Sequence, residues 1–162
     1  MKKLDDDLLK IMSKSVLCWL ATTDAKGQPN VSPKEAFTAF EDKILIANIA
    51  SPKSIRNIGH NNKVCVSFIE IFTQKGYQVY GSATLVQDGD KEYAEMKAPL
   101  LKLIGDKYPF KSLICIKVAK VHAVTAPSYF LFPEERASQK VEKAFRNYQS
   151  IYHEVKREVS ND

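Results

Sequence analysis

The sequence predicts a mainly β protein, a six-stranded antiparallel barrel with added helices and a C-terminal amphipathic helix. Two observations carry this reading. Apolar, strand-like runs recur with short turn signals between them, and few helical patterns separate them, which disfavours a parallel α/β sheet. The last stretch behaves differently: its apolar residues recur at three- and four-residue steps on an otherwise charged background. At 162 residues, 44% hydrophobic and 27% charged, the chain has the size and composition of one globular domain with room for a core.

The elements follow in order. Leu4, Leu8, Ile11 and Met12 repeat at helical spacing behind Asp5-Asp6-Asp7, whose charges suit a helix amino end, and Ser15 closes that helix. Val16–Thr23 reads as a strand, and Asp24-Ala25-Lys26-Gly27 as a tight turn with glycine free to take positive φ. A second strand runs through Asn30–Phe40. Pro33 interrupts it and cannot donate to a ladder, so this strand lies at an edge or is bulged. Glu41-Asp42 turns the chain into a third strand, Lys43–Ile49.

After a short helix come strands over Lys63–Phe72 and Tyr77–Gln87, with a loop around Gly76 between them. Asp90, after Asp88-Gly89, is positioned to cap a helix toward Ile104 that Pro99 kinks or splits. Ser112–Thr125 is the last long strand. In the tail, Val141, Phe145, Tyr148, Tyr152, Val155 and Val159 form a heptad seam, too short for a free coiled coil. It therefore packs on the barrel or on a partner subunit. The expected organisation is a barrel domain over residues 1–133 and a C-terminal helix over 134–162.

Several functional classes are disfavoured. No apolar run is long enough to span a membrane as a helix, and the acidic amino end lacks the apolar core of a signal peptide. Cys18, Cys65 and Cys115 form no Cys-x-x-Cys and sit in apolar runs, as buried free thiols of a reducing cytoplasm do. His60, His122 and His153 show no metal-ligand spacing. The net charge of +5 is not matched by any nucleic-acid motif, and the tail is neutral. No hydrolase signature or Walker loop occurs, so no side chain is nominated as catalytic. An enzyme of this kind would rely on a cofactor.

One segment does carry chemistry. Ser51-Pro52-Lys53-Ser54 opens the short helix, with Ser51 at the cap and Pro52 in the first turn. Lys53 and Ser54 add a cation and a hydroxyl beside outward-pointing amides, an arrangement that binds phosphate. From Lys43 to Ile69 there is no Asp or Glu, so no carboxylate competes. The tetrapeptide also fits an ordinary capped surface helix. Lys34 likewise fits an exposed strand lysine, and Trp19, in an alternating strand, fits the core.

The pieces VLCWLATTDAKGQPNVSP, KILIANIASPKSIRNI, NNKVCVSF and GYQVYGSATLVQDGDKEYAEM, in that order, resemble the pyridoxamine 5′-phosphate oxidase-like, FMN-binding split-barrel family, and its small flavin-binding members especially. The resemblance implies a Greek-key split β-barrel that binds FMN and a homodimer whose two subunits share the flavin sites, in the cytoplasm that the cysteines suggest. It implies that Lys53 and Ser54 hold the FMN phosphate, with Ser51 and Asn57 as neighbours. It places Ser32, Pro33 and Lys34 beside the flavin, and Ile46, Ala47 and Asn48 along the ring and ribityl chain. Gln78 or Tyr80 is implied as a contribution from the partner.

A cation such as Lys34 near the ring's N1/O2 edge would favour the reduced, anionic flavin. The arginine-, histidine- and tryptophan-containing segment with which true pyridoxamine phosphate oxidases end is missing from this tail. The implied activity is flavin-dependent oxidoreduction between a nicotinamide-type donor and an unknown acceptor, rather than vitamin B6 oxidation. The alternatives are a non-catalytic flavin-binding or electron-carrier protein, or a split barrel that binds F420 or haem. Neither nucleic acid nor membrane is an expected partner.

Overall fold

The computed structural model describes residues 4–160, with Asp106 described by its backbone alone; Met1–Lys3 and Asn161–Asp162, the outer ends of the two expected segments, lie outside the described residues. Seven strands form a single antiparallel sheet. They are β1 (Cys18–Thr23), β2 (Pro29–Lys34), β3 (Phe37–Phe40), β4 (Lys43–Ala47), β5 (Lys63–Glu70), β6 (Lys75–Gln87) and β7 (Ser112–Thr125), in the spatial order β2-β1-β5-β6-β7-β4-β3. Five α-helices accompany them: α1 (Asp6–Lys14), α2 (Pro52–His60), α3 (Tyr93–Ile104), α4 (Ser128–Leu131) and α5 (Ala137–Val159).

The mainly β expectation stands, but the strand count rises from six to seven because the expected second strand is two. Up to Lys34 the chain pairs with β1, where Lys34 lies opposite Cys18; from Phe37 it pairs with β4, where Phe37 lies opposite Ile46. Only Glu35-Ala36 intervene. In a flat sheet these two edges would stand about 29 Å apart at the usual strand spacing, whereas three Cα steps reach about 11 Å. The sheet therefore curls until its edges nearly meet, and the amide of Ala47 donates to the carbonyl of Ala36 at 2.9 Å across the closing corner. Pro29 and Pro33 sit in an edge strand, where a missing donor is harmless.

The curl divides the core into two layers. Leu20, Ile44, Ile46, Val66, Phe68 and Ile116 fill the barrel, and Leu4, Leu8 and Met12 of α1 and its lead-in pack against them. Asp5 caps α1 by accepting the amide of Leu8 at 2.8 Å, and the Ser15 hydroxyl donates to the carbonyl of Ile11 at 2.9 Å to close it. On the opposite side of β4 and β7, Leu45, Ala47, Leu113 and Cys115 pack against Tyr93, Met96 and Leu100 of α3. These two strands are buried on both faces. That is why Ile44–Ala47 and Leu113–Ile116 read as continuous apolar runs rather than alternating ones.

Local details depart from expectation for identifiable reasons. Asp90 does not cap α3: its carboxylate accepts the Gln87 amide at 2.8 Å, tightening the preceding turn, and the helix begins behind Glu92. Pro99 neither splits nor ends α3, which runs unbroken to Ile104. Gly76 lies in β6 rather than in a loop, and the turn is Ile71–Gln74. Trp19 is 45% exposed rather than core. In a strand of period two it takes the outer face once Cys18 and Leu20 take the inner one.

β6 bends where its register with β7 slips between Tyr80 and Gly81. A Cβ on Gly81 would stand 2.4 Å from the carbonyl oxygen of Lys117, so the close approach depends on glycine. Gly81→Ala should destabilise the fold by about 1–3 kcal/mol through forced separation of β6 and β7. Its denaturation midpoint will fall accordingly; an unchanged midpoint would show that the two strands part without cost.

Candidate functional site

The curl brings the end of β2 to the start of α2. After β4 the chain crosses Asn48–Ser51, pinned by Asn48, whose amide donates to the Ser112 carbonyl at 3.1 Å and whose side-chain Nδ2 donates to the Ser112 hydroxyl at 2.8 Å. Ser51 stands at the cap position of α2 and Pro52 in its first turn, but the Ser51 hydroxyl does not cap the helix. It accepts instead from Lys34 Nζ at 2.6 Å, and the same ammonium donates to the Ser32 hydroxyl at 2.6 Å. The first turn of α2 contains no acidic residue. Its amides therefore have no side-chain acceptor from the cap, and the positive end of the helix dipole is uncompensated by carboxylate.

Lys34 is 7% exposed, not the open strand lysine that composition allows. Its ammonium pairs with no carboxylate among the described residues. Desolvation pulls its pKa below that of an ordinary lysine, opposed by the neighbouring Cys18. The Cys18 thiol, fully buried opposite Lys34 in the β1–β2 ladder, is pushed up to about 12 by burial, against lowering by Lys34 and by its own backbone. It is a neutral thiol near pH 7. A buried cation held only by hydroxyls is costly, and it favours an anion nearby.

The other expected site residues divide into those the fold gathers here and those it does not. Lys53 is exposed in the first turn, while Ser54 is 2% exposed, so of the two only Lys53 is open to solvent. Asn57 is also buried, and its Nδ2 donates to the Thr22 hydroxyl at 3.0 Å, fastening α2 to β1. Thr22 gives no sign of this role in the sequence. Ile46 has no exposed surface and Ala47 very little, so neither side chain offers a wall to a ligand. Contact with this end of β4 is left to its main chain and to the half-buried Asn48.

Pro33 and Gln78 lie elsewhere. Pro33, Trp19, Ser67, Gln78 and His122 are successive cross-strand partners and so share the outer face of the sheet. Gln78 stands three strands, or roughly 14 Å, from Pro33. Its Oε1 accepts from the Tyr80 hydroxyl at 3.1 Å. Within one chain neither Gln78 nor Tyr80 joins the Lys34–Ser51 cluster. This face exposes Trp19 (45%), Val31 (59%) and Tyr80 (41%), an apolar row that the sequence reading missed. The parity of β1, with Cys18 and Leu20 inward, was the signal for it. Among the described residues no set of His, Cys, Asp or Glu could hold a metal ion, and no helix is long and apolar enough to cross a membrane.

The architecture defines a class: an antiparallel split barrel with a polar, cationic cluster at the amino end of its connecting helix. The family model for pyridoxamine 5′-phosphate oxidase matches residues 4–125, and the chain belongs to that family. Among solved structures, HupZ of Group A Streptococcus is 22% identical with a TM-score of 0.64, covering 75% of this chain and 94% of its own. An FMN-binding protein from Syntrophomonas wolfei subsp. wolfei is 20% identical with a TM-score of 0.60, covering 76% and 90%. HutZ, the heme storage protein from Vibrio cholerae, is 21% identical with a TM-score of 0.58, covering 76% and 94%. At these identities the likeness is one of fold. No curated protein matches the sequence.

The depressed Lys34 pKa has a definite sign in stability. Between its folded value and the ordinary lysine value of about 10.5 the unfolded chain binds more protons, so stability gains a rising contribution with pH there. Stability curves of the parent and Lys34→Met should therefore converge or cross as pH climbs toward that value, the parent gaining relative to the variant. Parallel curves would mean that Lys34 titrates as a solvated lysine.

Proposed function

We propose that this chain is an FMN-binding flavoprotein whose cofactor phosphate sits at the amino end of α2. The observation that carries this is the buried Lys34 ammonium, balanced only by Ser32 and Ser51, beside a helix start with no acidic residue. Lys53 adds an exposed cation to the same turn. An anion there would offset a buried charge, accept the free amides and lie on the favourable end of the dipole at once. Membership of the family, and an FMN-binding protein among the structures of like fold, support the same ligand.

In this reading Lys53 and the α2 amides hold the phosphate. Lys34, held at the cap position through Ser51, adds its positive charge beside the phosphate and keeps the Ser51 hydroxyl turned away from the helix. The end of β4 and Asn48 line the ring through main-chain and amide groups. Bound flavin would supply hydride or electron transfer between a nicotinamide-type donor and an acceptor. The protein would anchor the cofactor and tune its charge. Because Gln78 and Tyr80 lie on the outer face with Trp19 and Val31, they would reach a flavin only from a second subunit. The functional unit in this reading is a homodimer packed through this apolar row, and the buried free thiols Cys18 and Cys115 suit a reducing cytoplasm.

Three measurements test the reading. The spectrum and mass of the chromophore released on denaturation should be those of FMN; haem, F420 or no chromophore would overturn it. Lys53→Ala should weaken FMN about tenfold to a hundredfold, the strength of a charge-assisted hydrogen bond, while leaving riboflavin nearly unaffected. Equal loss for both ligands would put the phosphate elsewhere. Steady oxidation of reduced nicotinamide with an added acceptor is expected of the oxidoreductase. Reduction only by a partner protein would make the chain a carrier.

A further inference from the structure

The heptad seam of the tail is left largely open. α5 spans Ala137–Val159, and its buried positions are Lys140 and Ala144 near the amino end. Lys140 Nζ donates to the carbonyls of Ser128 and Phe132 at 3.1 and 2.8 Å, and Phe72 packs beside Phe145 and Tyr148 at ring distances of 6.3 and 6.0 Å. These contacts hold the first half of the helix to its own chain. Beyond Tyr148 the seam has no such support: Tyr152, Val155 and Val159 are 59%, 49% and 68% exposed. Tyr148 and Phe145 themselves remain 39% and 46% exposed.

We propose that this seam is covered by the α5 of a second copy of the chain, running antiparallel. Three properties of the helix select that occupant and orientation. First, the seam is self-complementary when reversed. Val141 meets the partner's Val159, Phe145 meets the partner's Val155, and Tyr148 meets the partner's Tyr152, so every layer is apolar and all six residues are used.

Second, charge agrees. On the open edge of the seam the flanking positions are Glu142, Gln149 and Lys156. Antiparallel pairing sets Glu142 against the partner's Lys156, Lys156 against the partner's Glu142, and Gln149 against itself. A parallel pair would bring no opposite charges together at the flanking positions. Glu142 is ion-paired to Arg146 at 3.2 Å and Lys156 lies over the Tyr152 ring at 6.0 Å, but both contacts are at the surface and too weak to compete strongly.

Third, support is shared. The unsupported carboxyl half of each helix is laid over the half that the other chain already braces with Phe72. The seam alone is short, so the pair reinforces the homodimer proposed above rather than creating it. It names a contact outside the barrel and does not depend on the flavin.

Directed cross-linking tests the arrangement, in a Cys65→Ser background with Cys18 and Cys115 buried. Gln149→Cys should give a disulfide-linked dimer under mild oxidation, because its two copies flank the dyad. Glu142→Cys and Lys156→Cys should each stay unlinked alone, their equivalent sites standing about 21 Å apart along the pair. Co-expressed, those two should link to each other. Absence of linkage from Gln149→Cys, or ready self-linkage of Glu142→Cys, would overturn the proposal. Sedimentation of the unlinked protein separates the failures: a dimer mass without cross-links refutes the helix pair alone, and a monomer mass refutes the homodimer as well.

Discussion

The two-residue link between β2 and β3 constrains the rest of this molecule. Those strands lie at opposite ends of the hydrogen-bonded order, yet Glu35-Ala36 leave them only three Cα steps apart. Closure follows from chain length before any side chain is considered. Once the sheet has curled, Ile44, Ile46, Phe68 and Ile116 have an interior to fill, and α1 has a barrel to pack against. The outside of β4 and β7 becomes a shelf for α3. The glycine at the β6 bulge lets that long strand approach β7 closely while bending.

The candidate site is a product of the same closure. Lys34 ends one edge strand and Ser51 follows the strand next to the other edge, so in an open sheet they would never meet. Their 2.6 Å contact places a cation inside the protein at the amino end of a helix, with hydroxyls rather than a carboxylate for company. A carboxylate partner would have neutralised the cluster and made it purely structural. Hydroxyls hold the ammonium in place and leave its charge available, which is what an anionic ligand requires.

The tail obeys a different economy. The barrel interior is filled from within one chain, whereas α5 fully buries only Lys140 and Ala144 and leaves Phe145 and Tyr148 partly covered by Phe72. Lys140 secures the helix by donating to the carbonyls of Ser128 and Phe132, at the two ends of α4. A helix fixed along one half, with its apolar stripe turned outward along the other, has the build of an interaction element.

Much was legible in the residues themselves. Period-two and continuous apolar runs located the strands, Ser112–Thr125 to the residue, and the Asp5 and Ser15 ends of α1 follow from local hydrogen bonding that a linear reading captures. The helix start at Ser51–Ser54 was equally plain, because Pro and Ser act on their nearest neighbours. Longer-range competition was not. Ser51 looks like a cap until Lys34 takes its hydroxyl, Asp90 looks like a cap until Gln87 takes its carboxylate, and Asn57 looks free until Thr22 accepts its amide. The split of one expected strand into β2 and β3, and with it the burial of Lys34, required knowing which strands lie beside β1 and β4. Sequence alone determined where most of the strands and the long helices run, since those are local energies. Tertiary structure decided which polar groups face each other, since only the curled sheet brings residues distant in the chain to hydrogen-bonding distance.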